Sequence, residues 1–158
     1  MPDTVRKVEY FSIQVPNTPA KAFGVLSTLV SAGINLLACS GIPRGRRAQI
    51  DVVPDDTARF KTAVKSAGLS FTPEKGGFMI QGKDRPGALT EHLKRLGDRG
   101  INVTGIDALS AGDGRYSAII WVESGDVARA GSALAARKPS ARGSRRAAPR
   151  AKRASRSR

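Results

Sequence analysis

Gly82-Lys83-Asp84-Arg85-Pro86-Gly87-Ala88-Leu89 opens an apolar series, Leu89, Leu93 and Leu96, which runs into Gly100-Ile101-Asn102-Val103. This stretch decides the fold because the chain contains it twice. Moved back by 67 positions, Phe78 lands on Phe11, Ile80 on Ile13, Gln81 on Gln14 and Pro86 on Pro19. Leu93 lands on Leu26, Leu96 on Leu29, and Gly100-Ile101-Asn102 on Gly33-Ile34-Asn35. The register holds without a gap over about 25 residues and then drifts by two or three, as a longer loop at Gly112-Asp113-Gly114 would cause. Self-similarity at a fixed offset marks a duplicated structural unit.

Each copy gives the same series of elements. Phe11, Ile13 and Val15 alternate with Tyr10, Ser12 and Gln14, the pattern of a half-buried strand. Pro19 suits the first turn of a helix, where a missing N–H costs nothing. Ala22, Phe23, Leu26, Leu29 and Val30 then recur at helical spacing, and Gly33 suits the helix end. Ile34–Cys39 and Arg47–Val53 read as strands. Asp55 and Asp56 can cap a helix bearing Phe60, Val64 and Ala67 that ends at Gly68. Leu69-Ser70-Phe71 begins a fourth strand, giving βαββαβ. The second copy predicts strands at 78–81, 101–109 and 116–123 and helices at 86–99 and 126–136, with no fourth strand after them. Its loss exposes one sheet edge unless another strand covers it.

The expected fold is therefore α+β: two ferredoxin-like βαββαβ repeats with antiparallel sheets, at 6–75 and 76–136, the second lacking its last strand, followed by a disordered basic C-terminal tail at 137–158. The turn Asp84-Arg85-Pro86-Gly87, the leucine series and the Gly-Ile-Asn that follows closely resemble the signature of the ACT-domain family. The first copy is a looser match, with Asn17-Thr18-Pro19-Ala20 at the turn and Gly33-Ile34-Asn35 retained. The resemblance spans about residues 8–136.

ACT domains are small-molecule sensors that regulate enzymes or transcription, mostly by binding amino acids between paired domains. The resemblance thus implies a non-catalytic regulator of a partner protein, paired as a homodimer or through its own two repeats. It places the ligand between the first strand–helix turn of one domain and the second strand of its neighbour. The implied binding residues are Asp84, Arg85, Pro86, Gly87, Ala88, Leu89 and Asn102, with Asn17, Pro19, Ala20 and Asn35 as first-copy counterparts. The first turn lacks the Asp and the Gly.

The residue chemistry is compatible with such a ligand. N–H groups at a helix N-terminus suit a carboxylate, and Gly87 lets a ligand approach the backbone. Asp84 can accept from an ammonium, and Asn102 can donate and accept. Each also has a plainer structural reading: Asp84 as a helix cap, Gly87 as a packing residue, Asn102 as a turn former.

Composition narrows the rest. The chain of 158 residues has a net charge of +14, unevenly placed. All 13 acidic residues lie between Asp3 and Asp126, whereas 137–158 hold ten Lys or Arg and no acid or aromatic residue. That tail reads either as a solubilising segment or as a sequence-independent contact for DNA or RNA phosphates, through Arg142, Arg145, Arg146, Arg150, Lys152 and Arg153. No apolar run reaches the ~18 residues of a spanning helix. Met1-Pro2-Asp3-Thr4 lacks a signal-peptide layout, and Cys39 is the sole cysteine, so the expected compartment is the cytoplasm. No Cys, His and acid spacing suggests a metal, and no motif suggests a cofactor or catalytic group. His92, between Glu91 and Leu93 and followed by Lys94, reads as a surface histidine, and Cys39 as a small packed hydrophobe.

Overall fold

A computed structural model describes residues 3–135. The predicted tail, with its six candidate phosphate-contacting residues, lies outside the described residues. The elements run β1 (Thr4–Pro16), α1 (Pro19–Ser31), β2 (Leu36–Arg44), β3 (Arg47–Pro54), α2 (Thr57–Ser66), β4 (Thr72–Lys83), α3 (Thr90–Gly97), β5 (Val103–Gly112), β6 (Arg115–Val122) and α4 (Val127–Leu134). The order strand, helix, strand, strand, helix occurs twice, from β1 and again from β4.

The six strands form one antiparallel sheet in the order β2-β3-β1-β4-β6-β5. Its centre is the pair of long strands β1 and β4. The first part of β1, Thr4–Glu9, pairs with Gly76–Gln81 of β4, and Phe11–Pro16 pairs with β3. Two steps along β1 face three along β4 between Glu9 and Phe11, a bulge that bends the ladder where the two roles of β1 meet.

Thr4–Glu9 covers the edge beside the first strand of the second half, filling the place where a fourth strand of that half would sit. Leu69-Ser70-Phe71 does not begin a strand; β4 starts at Thr72 and runs unbroken past position 76.

Alternation along the strands sorts the core onto two faces. Phe11, Ile13, Val15, Ile50 and Val52 pack under Val25 and Leu29 of α1 and Phe60 and Val64 of α2. Val5, Phe78, Ile80, Ala118, Ile120 and Val122 pack under Leu96 of α3 and Ala130 and Leu134 of α4. Val5 and Phe11 have the same parity on β1, so all four helices lie on one face. The other face buries Val8, Val53, Met79 and Ile119 with no helix over them among the described residues, beside the rings of Tyr10 and Trp121, 4.3 Å apart.

The helix ends repeat in detail. Gly33 and Gly100 take positive φ, +67° and +63°, where a Cβ is costly. Just beyond each, Ile34 N–H donates to Leu29 and Ile101 N–H to Leu96, both at 3.0 Å. The Asp56 carboxylate caps α2 by accepting from Arg59 N–H at 2.9 Å.

Five side-chain expectations are corrected. Phe23 and Val30 are each 72% exposed, because α1 turns Val25 and Leu29 to the sheet instead. On α3 the buried face carries His92 and Leu96, leaving Leu93 39% exposed. His92 is therefore no surface residue. Cys39 is exposed, because β2 is an edge strand with a neighbour on one side only.

Gly77 is a sensitive point of the helix-free face. A Cβ there would stand 2.2 Å from the Trp121 ring and 2.9 Å from the Ile120 carbonyl. We expect Gly77→Ala to destabilise the protein by about 1–3 kcal/mol, read by denaturant unfolding followed through the emission of Trp121, the single tryptophan.

Candidate functional site

The turn after the first strand of each half docks on that half's β-hairpin. Asp84 N–H donates to the Gly114 carbonyl at 2.7 Å, and Asn17 N–H donates to the Arg46 carbonyl at 3.0 Å. Three residues further on, the two turns part company. Ala20 continues into α1, which starts at Pro19 as expected. Gly87 takes φ +74° instead, a conformation that L side chains rarely adopt. Tight bonds follow, Ala88 N–H to Arg85 O at 3.1 Å and Thr90 N–H to Gly87 O at 2.9 Å. The helix predicted from Pro86 therefore begins only at Thr90.

The delayed helix leaves a cavity of about 360 Å3, lined by Asp84, Arg85, Gly87, Ala88, Leu89, Thr90 and Leu93 on one side. Ala108, Leu109 and Ser110 of β5 and Tyr116 of β6 line the other. The Ser110 hydroxyl donates to Asp84 Oδ2 at 3.0 Å, joining the turn to the edge strand. Leu93 and the 62% exposed Leu109 supply an apolar rim. A carboxylate, a guanidinium and an apolar rim thus surround one small open cavity.

Arg85 and Tyr116 also join a cluster that no local pattern in the sequence marks, whose other members, Asp3 and His92, line a separate cavity of about 580 Å3. The Asp3 carboxylate, 9% exposed, accepts from the Tyr116 hydroxyl at 2.7 Å and from His92 Nε2 at 3.0 Å. Arg85 stands 3.6 Å from its other oxygen. A carboxylate only accepts, so Nε2 carries the His92 proton, and the buried Nδ1 has no hydrogen-bond partner. Burial pushes the Asp3 carboxyl up, but the hydrogen bonds from His92 and Tyr116, with the Arg85 charge, outweigh it and hold the group below the usual carboxylate range. Burial, then the Asp3 hydrogen bond and charge, push the Tyr116 phenol well above the ordinary tyrosine value.

The structure brings together Asp84, Arg85, Gly87, Ala88 and Leu89 of the expected residues. Pro86 belongs to the same turn without lining the cavity. Asn102 precedes β5 at the end remote from Ser110, on the order of 25 Å along the strand. Asn17, Pro19 and Ala20 form the other turn, and Asn35 precedes β2, so none of the first-half residues joins this cavity. Thr90, Leu93, Ala108, Leu109, Ser110 and Tyr116 went unidentified in the sequence. Among the described residues, no group of His, Cys, Asp and Glu is placed to hold a metal, and no helix is long and apolar enough to cross a membrane.

Residues 78–139 match the family model of the ACT domain. No curated protein matches the chain. Among solved structures, a protein from Bacteroides thetaiotaomicron superposes with a TM-score of 0.68 at 20% identity, over 84% of this chain and 88% of that one. The regulatory subunit of aspartate kinase from Thermus thermophilus gives 0.58 at 17% identity, over 85% and 95%. That from Thermus flavus gives 0.51 at 19% identity, over 85% and 94%. At these identities the likeness is one of fold.

The Asp3 cluster predicts an acid-side dependence. A carboxyl held below its unfolded value stabilises the fold above that value, and the contribution is lost as pH falls through the lower, folded value. We expect the stability difference between wild type and Asp3→Asn to be full at neutral pH and to shrink as pH drops below about 4. Denaturant midpoints at a series of pH values measure it; a gap that persists unchanged through the acid range contradicts the cluster.

Proposed function

We propose that this chain is a non-catalytic regulatory module that binds a free α-amino acid and passes its occupancy to a partner enzyme or regulator. One observation carries the reading. The cavity lies at the turn of the ACT-matching segment, and its charged groups come in the two signs a zwitterion needs. The ligand carboxylate would face Arg85 and the N–H groups of the Gly87 turn, and its ammonium would face Asp84. Its side chain would lie on Leu93 and Leu109, which favours an apolar amino acid. The shared fold with aspartate kinase regulatory subunits supports a regulatory role.

Topology favours a homodimer over pairing within the chain. β2 and β5 stand at opposite edges of the sheet, so the turn of one half does not meet the second strand of the other. A second copy, laid along β5, would close the open side of the cavity.

Thermal unfolding of the full chain against each of the twenty amino acids tests this. A ligand at 100 times its Kd stabilises by about 2.7 kcal/mol, a shift of several degrees. We expect a shift with one amino acid or one small class, accompanied by a change in sedimentation. Gly87→Ala should remove the shift and cost about 1–2 kcal/mol of its own, since alanine at φ +74° is strained. No shift with any amino acid overturns the sensor reading and leaves a dimerising module.

A further inference from the structure

The Asp3 cluster joins two places that the chain keeps far apart. Asp3 immediately precedes the strand that opens the first half, yet its carboxylate is bonded to Tyr116 of the second, 113 residues away. Two groups touching that carboxylate, Arg85 and Tyr116, also line the cavity. The third, His92, sits on α3, the helix that closes the turn. Gly82 makes the reach across β4 feasible. A Cβ there would stand 1.9 Å from Asp3 Oδ1 and 2.9 Å from the Tyr116 ring. Its counterpart 67 positions earlier is Val15, which packs in the first core, so the first turn has no equivalent space.

We propose that Asp3 is a positioning residue for the candidate site: delivered by the N-terminal strand, its carboxylate sets Arg85 and Tyr116, so that strand docking and site formation are one coupled equilibrium. Two hydrogen-bond donors and one guanidinium charge converge on one carboxylate. If Thr4–Glu9 leaves β4, the Tyr116 hydroxyl and the His92 N–H lose their acceptor, and Arg85 loses its ion pair, keeping only its hydrogen bond to the Lys83 carbonyl. By linkage, a ligand that requires Arg85 and Tyr116 in place favours the docked strand, and a docked strand favours the ligand to the same degree. Beyond the bulge the same strand pairs with β3, which gives occupancy a direct mechanical route into the first half. The functional meaning rests on the amino-acid reading above, whereas the coupling belongs to the unliganded chain and is tested there.

Hydrogen exchange of the full chain without ligand is the test, on wild type, Asp3→Asn, Gly82→Ala and Tyr116→Phe. Gly82→Ala displaces the carboxylate without altering it, and Tyr116→Phe removes a single donor. Phe60→Leu, in the first core, serves as a reference for general loss of stability. We expect Asp3→Asn and Gly82→Ala to raise exchange about tenfold in both Val5–Glu9 and Asp84–Leu89, with a smaller rise in Tyr116→Phe. Turn exchange that rises no more than in Phe60→Leu, or a strand that frays while the turn stays protected, overturns the proposal. Repeating the amino-acid screen on Asp3→Asn separates the two readings. A wild-type response weakened about tenfold supports both. A coupled loosening in a protein that responds to no amino acid supports the coupling while the ligand reading falls.

Discussion

The structure depends on one strand serving two ladders. β1 is 13 residues long, and its two ends bond to different neighbours. Were it only the first strand of the first half, the chain would fold as two small sheets, each with a thin core and an extra open edge. Units of that size bury too little surface to be robust alone. Because Thr4–Glu9 pairs with β4 and sends Val5 into the second core, the strand order becomes symmetrical about β1 and β4. An antiparallel central pair relates the two sides by a rotation about the sheet normal. That rotation places all four helices on the same face and frees the other.

Much of this was legible in the sequence, and the illegible parts share one cause. Alternation of Phe11, Ile13 and Val15 located a strand, because a half-buried strand must alternate. The repeated Gly-Ile-Asn located two helix ends with the same backbone bond at each. What local pattern could not supply was a choice among partners. Thr4–Glu9 looks like a polar lead-in, with Arg6, Lys7 and Glu9 masking Val5 and Val8; only its pairing with β4 makes it a strand. His92 looked exposed, close to Glu91 and Lys94, because its partner, Asp3, lies 89 residues away. The leucine stripe of α3 misled for the same reason. Leu93 and Leu96 are both apolar, but an interior acceptor for a histidine turns the helix toward His92.

The candidate site was half legible for an equally physical reason. The turn residues sit together in sequence and so were found together. Those facing them, Ala108 to Ser110 and Tyr116, come from a hairpin whose register no periodicity sets. Asn102 was carried to the site by resemblance, and the strand geometry removes it to the other end of β5. The two turns also show how one position changes local structure. Both dock on their hairpins by the same backbone bond. Alanine at position 20 makes a left-handed turn costly, while glycine at 87 permits the one that delays α3 and opens a cavity. The halves thus share a scaffold, and only the second pairs an open turn with the Asp3 carboxylate.

The outer strands carry the argument outward from the single chain. β2 and β5 are nine and ten residues long and mostly exposed, each with one side of its backbone unpaired. Proteins that keep such edges solitary place charges, bulges or prolines along them. Here β5 offers one charged residue, Asp107, and two irregular points, between Val103 and Gly105 and between Ser110 and Gly112. Between those points its register with β6 is regular and its outer side is free. That free segment contains Ala108 and Leu109, which form the cavity wall. In the proposed homodimer, a strand laid along β5 would pair the open edge and close the cavity beside it. Ligand affinity and self-association would then rise and fall together, with β1 carrying the effect to the other half.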